Sequence, residues 1–146
     1  MTLGVLTVVL TLFVAPPRAA QLASWFVAAG RAQGLDPALL AAVAWQESRL
    51  DAQAQGRYGE WGVMQLLPQT RAGTLLPAGR MRQRCNVMTL WCQRWNINEG
   101  ARILQQHIRR CGALWRGVSA YNGRPCRLST YSQGVKAIYE GFYATP

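Results

Sequence analysis

The chain has 146 residues and carries 16 Lys and Arg against six Asp and Glu, a formal net charge of +10. That length supports one domain with a real core. A surface of this sign attracts polyanions, so nucleic acid and a carboxylate-rich envelope polymer are both candidates, with plain solubility as the third reading. The basic residues, all Arg except Lys136, are scattered, and no helix-turn-helix or RRM signature accompanies them, so a nucleic-acid partner is not expected.

Leu3 to Ala15, LGVLTVVLTLFVA, is apolar for about 13 residues, the length of a signal-peptide core and short of the ~20 a spanning helix needs. Small residues follow in PPRAA, where a peptidase could cut near Ala19 or Ala20. Residues 1–20 therefore read as an export signal, with a retained anchor or an N-terminal core helix as alternatives, and residues 21–146 as the domain. Four cysteines, Cys85, Cys92, Cys111 and Cys126, fit an exported chain. The shortest loops pair Cys85 with Cys92 and Cys111 with Cys126. No CxxC or Cys/His spacing is present and His107 is the only histidine, so neither zinc nor any other cofactor is expected.

Gln21 to Gly30 reads as a helix whose stripe is Leu22, Trp25, Phe26 and Ala29. Asp36 is a good N-cap and Pro37 suits the first helical position, so a helix runs from Pro37 to about Ser48. Residues 51–61 read as a loop or irregular hairpin, a short helix follows Pro68, and residues 76–95 read as irregular. Ile97, Ala101, Leu104, Ile108 and Cys111 step by four and three, and Gly112 ends that helix. A helix through Leu114, Val118 and Tyr121 follows, then a last one over about Tyr131 to Tyr143. No useful run of alternating residues appears, so the expected fold class is mainly α.

Serine-nucleophile and phosphate-loop motifs are absent. Glu47 remains, on the helical face of Leu40 and Val43. Burial of an ionised carboxylate is costly, so a Glu there either finds a partner or raises its pKa, the setting of a general acid near neutral pH. The plain alternative is a helix-end Glu satisfied by solvent or by an Arg such as Arg49.

The stretches GLDPALLAAVAWQESRL, GEWGVMQLLPQT, NINEGARIL, SAYNG and YSQGVKAIY occur in an order that resembles the soluble lytic transglycosylases, goose-lysozyme-like enzymes that cut peptidoglycan. The resemblance covers residues 34–143. It implies a lysozyme-like fold, peptidoglycan glycan strands as partner and Glu47 as the catalytic acid/base. It also implies that Ser48 supports the helix end, that Gly62, Met64 and Gln65 form the turn and wall of the glycan groove, and that Asn122 shapes a turn or meets the sugar. Tyr121 is the tyrosine it brings to the carboxyl or the sugar, and Tyr139 the one it brings to the carboxyl from the last helix. Gly56 stands where the family carries a serine that contacts an N-acetyl group, Ala52 where it carries a proline, and Arg124 follows an altered SAYNG.

The resemblance therefore implies an exported enzyme of a bacterial periplasm or envelope that cleaves the bond between N-acetylmuramic acid and N-acetylglucosamine to leave a 1,6-anhydro product. A hydrolytic lysozyme and a non-catalytic peptidoglycan-binding component of an envelope-spanning machine are the alternatives. Small exported members of such a family act in wall turnover, secretion, conjugation or phage. Of the remaining acids, Asp51 and Glu60 are expected to face solvent in the 51–61 loop.

Overall fold

The computed structural model describes residues 1–67 and 85–144. Among these, six helices and no strand are formed: α1 (Leu3–Leu10), α2 (Pro16–Gln33), α3 (Pro37–Ser48), α4 (Leu90–Cys111), α5 (Leu114–Tyr121) and α6 (Thr130–Ala144). The short helix expected after Pro68 lies outside the described residues.

The core is built around α3. Its run from Ala38 to Ala44 is all Ala, Leu and Val, and every residue of that run is buried. A helix that is apolar all round belongs inside a domain, and α2 and α6 flank it. Asp36 caps it as expected, its Oδ1 accepting from the Ala38 amide at 3.0 Å. Around this axis α4 packs on α2 and α5, and α5 packs on α6.

Two elements differ from the sequence expectation. Helix α2 extends beyond Gln21–Gly30 at both ends, with prolines in its first turn and Gly34 at its C-cap. Helix α4 starts at Leu90 rather than in the region of Asn96, so the tail of the stretch read as irregular is helical. Thr89 caps it, Oγ1 accepting from the Cys92 amide at 3.3 Å. Its first turns bury Cys92, Asn96 and Gly100, too polar and too small to show as a stripe. The N-terminal segment, for which the sequence leaves a core helix as an alternative to an export signal, is also helical. Helix α1 packs against α2, with Leu6, Val9 and Leu10 buried, and Phe13 lies 4.6 Å from the Trp45 ring and 5.8 Å from Phe142. No helix among the described residues is long and apolar enough to cross a membrane.

Disulfides join Cys85 to Cys92 and Cys111 to Cys126, the pairing with the shortest loops. The first ties the entry of α4 to its first turn; the second ties the end of α4 to the segment between α5 and α6.

Candidate active site

Glu47 is the penultimate residue of α3. The chain leaves that helix through two consecutive left-handed residues, Arg49 (φ 56°) and Leu50 (φ 65°). Such residues cost roughly 1–2 kcal/mol each outside glycine. They persist because Leu50 is locked in the core and Arg49 donates from both its amide and its guanidinium to the Trp45 carbonyl. Gln65 (φ 49°) is the only other non-glycine residue of this kind among those described. All three border the turn after Glu47 or the loop that returns to it, the sort of place where backbone strain is stored for function.

That loop is held from two sides. Ser48 Oγ donates to the Ala44 carbonyl at 3.0 Å and the Val63 carbonyl at 2.7 Å, joining the end of α3 to the loop. Asn96, fully buried on α4, accepts from the Met64 amide at 2.8 Å and donates to the Trp61 carbonyl at 3.0 Å. Between these anchors Gly62 turns at φ 79° directly under Asn96, where a side chain would not fit. Trp61 lies parallel to Trp95 of α4 at 6.0 Å. Met64 is a core residue, fully buried against Gly100. Gln65 keeps its amide nitrogen on the Ala54 and Gly62 carbonyls, at 3.0 and 2.9 Å. Sequence reasoning missed Asn96; the available signal was a polar residue beside the apolar stripe of α4.

The tyrosines fall differently from the resemblance. Tyr131, in the first turn of α6, donates its hydroxyl to Glu47 Oε1. Tyr139 instead donates to Asp36 Oδ2 at 2.9 Å, joined there by Tyr143 and by the terminal amine of Met1 at 3.4 Å. The reason is the antiparallel packing of α3 and α6. Asp36 and Glu47 are eleven residues apart, about 17 Å along a helix, and Tyr131 and Tyr139 are eight apart, about 12 Å. One end of α6 therefore meets Glu47 and the other meets Asp36. The start of α6 is fixed by a reciprocal serine cap. The Ser129 amide donates to Ser132 Oγ at 3.0 Å, the Ser132 amide to Ser129 Oγ at 3.2 Å, and Ser119 of α5 donates to Ser129 at 2.7 Å. Tyr121 donates to the Met64 carbonyl at 2.8 Å, so it braces the loop rather than bonding to the carboxyl. Asn122 is exposed at the C-cap of α5.

Burial pushes the Glu47 carboxyl from its ordinary 4.5 up to about 7. The Tyr131 hydroxyl pulls it down, and the Glu60 charge raises it again. Glu60 is therefore not simply solvent-facing. It is half-buried, its Oε2 accepts from the Tyr58 amide at 2.9 Å, and its carboxylate fills the space a Cβ on Gly56 would take. Gln65 Oε1 lies 3.0 Å from that same point. Asp51 is exposed and caps its own turn through the Gln53 amide. No group of three or more His, Cys, Asp or Glu among the described residues could hold a metal.

The site is thus a carboxyl protonated near neutral pH at the end of a buried helix, steadied by a tyrosine and faced by a tightly held loop. The family model for the transglycosylase SLT domain matches residues 24–138, most of the chain, and the protein belongs to that family. Activity of the lytic-transglycosylase type and peptidoglycan as substrate follow at the level of the family.

Proposed function

We propose that this protein is an exported lytic transglycosylase of the bacterial periplasm or envelope that cleaves the β-1,4 bond between N-acetylmuramic acid and N-acetylglucosamine, with Glu47 as sole general acid/base. The observation that carries this reading is the Glu47 carboxyl, raised to about 7 by burial and held by Tyr131. Protonated Glu47 gives its proton to the bridging oxygen as the C1–O bond breaks, and positive charge develops at the sugar ring. The carboxylate then takes the proton of the muramic C6 hydroxyl, whose oxygen attacks C1 and closes the 1,6-anhydro ring. A nucleophile already tethered to the substrate gains from proximity and needs no second carboxylate to hold water. Residues 1–20 act as the export signal in this reading. A secretion or conjugation apparatus is a fitting partner for so small a wall-cutting domain.

One observation favours a second reading. Glu60 acts electrostatically on Glu47, and a paired carboxylate is what a hydrolytic lysozyme uses. Mass spectrometry of digested peptidoglycan separates the two. The transglycosylase reading expects 1,6-anhydromuramoyl ends, with Glu47→Gln losing nearly all turnover and Glu60→Gln keeping most of it. Reducing muramic acid ends together with a dead Glu60→Gln enzyme would make it a hydrolase. Glycan bound but uncut by the wild-type protein would leave a binding module.

A further inference from the structure

A second concave feature lies at the other end of α5 from Tyr121. It is an open groove of about 450 Å³ between the first turn of α5 and the segment held by the Cys111–Cys126 disulfide. Leu114, Trp115 and Arg116 form one side, and Cys126, Arg127 and Leu128 the other. The volume is that of a small-ligand pocket. Leu114 and Leu128 are exposed, and Trp115 is held from below by the edge of Tyr139, at 5.8 Å.

The charges of the groove are unbalanced. No Asp or Glu occurs between Glu99 and Glu140, a stretch that holds six arginines and Lys136. Arg102 pairs with Glu99 and Lys136 with Glu140. Asp36 is engaged by two tyrosines and Glu47 by Tyr131, while Asp51 and Glu60 stand on the loop beside the active site. All six Asp and Glu are thereby placed, and among the described residues none forms an ion pair with Arg116 or Arg127. A groove with two such guanidiniums and an apolar lining of Leu and Trp fits a short peptide that carries a carboxylate next to a small apolar residue. Helix α5 has eight residues, about 12 Å, so the groove is separate from Glu47 yet within reach of one branched polymer.

We propose that this groove binds the acidic peptide branch of peptidoglycan, with Arg116 and Arg127 taking its carboxylates and Leu114, Trp115 and Leu128 its apolar part. This rests on peptidoglycan being the substrate. It adds a recognition site through which peptide-bearing glycan is preferred over bare glycan.

The test uses the full chain, with Glu47→Gln to stop turnover, and the same protein carrying Arg116→Gln and Arg127→Gln. Binding of a free L-alanyl-γ-D-glutamyl peptide is measured by calorimetry at low and high salt, alongside an unrelated acidic decapeptide. Circular dichroism checks that both proteins are folded. The expected result is selective binding of the branch peptide, weakened by salt and reduced about tenfold by the double substitution, the effect of two partly exposed charge pairs. Undiminished binding by the double variant would overturn the proposal. So would equal or tighter binding of the unrelated peptide, which would assign the groove to an acidic partner protein. Because the free peptide contains no glycosidic bond, this result is independent of whether the wild-type protein cleaves glycan.

Discussion

The proton affinity of Glu47 is set by neighbours of opposite sign. Burial raises it, the Tyr131 hydroxyl lowers it by favouring the charged form, and the Glu60 carboxylate raises it. Two single substitutions should therefore move the pH profile in opposite directions. Glu60→Gln removes a negative charge, eases ionisation of Glu47 and should shift the alkaline limb of activity to lower pH. Tyr131→Phe removes a hydrogen bond to the carboxylate and should shift that limb upward, while turnover falls about ten- to a hundredfold from the lost charge-assisted bond. Turnover of solubilised glycan from pH 4 to 9 checks both; limbs that move together would show that one of these neighbours does not act through Glu47. Position 56 belongs to the same balance. A serine there can fit only if the Glu60 carboxylate swings away and gives up the Tyr58 amide. Gly56→Ser is thus a substitution of two residues' environments, and a gain in glycan affinity requires Glu60 to yield.

At the scale of elements, the site is an agreement between α3, α4, α6 and one loop. Asn96 carries much of it, because one buried amide satisfies a backbone N–H and a backbone C=O of a loop that has no regular ladder of its own. Asn96→Ala leaves both without that partner, at roughly 1–3 kcal/mol per stranded group. Thermal denaturation should show a loss of about 2–4 kcal/mol. Activity should fall at temperatures where the variant is still folded, since the loop that faces Glu47 has lost its anchor. An active variant of near wild-type stability would move that role to Ser48. The disulfides act in the same way on longer pieces. In the loop-entropy account, the bridges of sequence separation 7 and 15 contribute about 2–3 kcal/mol each, mostly through the unfolded state. Reduction should lower the melting temperature, and peptide mapping of non-reduced protein should recover Cys85 with Cys92 and Cys111 with Cys126.

For the molecule as a whole, the Glu47 carboxyl is a stability cost near neutral pH. Its folded value of about 7 lies above its ordinary 4.5, so the folded state holds a proton that the unfolded chain has lost within that window. Stability from this group is full below about 4.5 and falls as pH rises toward 7, by about 3 kcal/mol. Asp36 has the opposite sign. Burial alone would raise it, but the hydrogen bonds of Tyr143, the Ala38 amide and Tyr139 hold it below its ordinary 3.8. Its contribution is present above 3.8 and is lost as pH falls through its folded value. Of these two contributions, both are present in full only between 3.8 and 4.5. Glu47→Gln should flatten the fall between 4.5 and 7 and melt higher than wild type at pH 8. Equal melting of the two proteins at pH 8 would mean that Glu47 is not desolvated in the folded state.

Much of this was legible in the chain before folding. The Asp36-Pro37 start of α3, the four-and-three stepping of α4, and the apolar neighbours that single out Glu47 are local patterns of propensity, capping and periodicity, which sequence records directly. The shortest-loop pairing of the cysteines was legible for the same reason, since loop closure depends on separation along the chain. What the tertiary structure decided lay in contacts between distant residues. Whether Tyr131 or Tyr139 meets Glu47 depends on the antiparallel overlap of α3 and α6, and no spacing within either helix states it. That Gly56 leaves room for Glu60, that Asn96 is bonded rather than solvated, and that Phe13 lies against Trp45 and Phe142 are likewise facts of close packing. The sequence determined the elements and the acid; only the folded chain decided which side chains surround that acid, because proton affinity and strain depend on distances across the core.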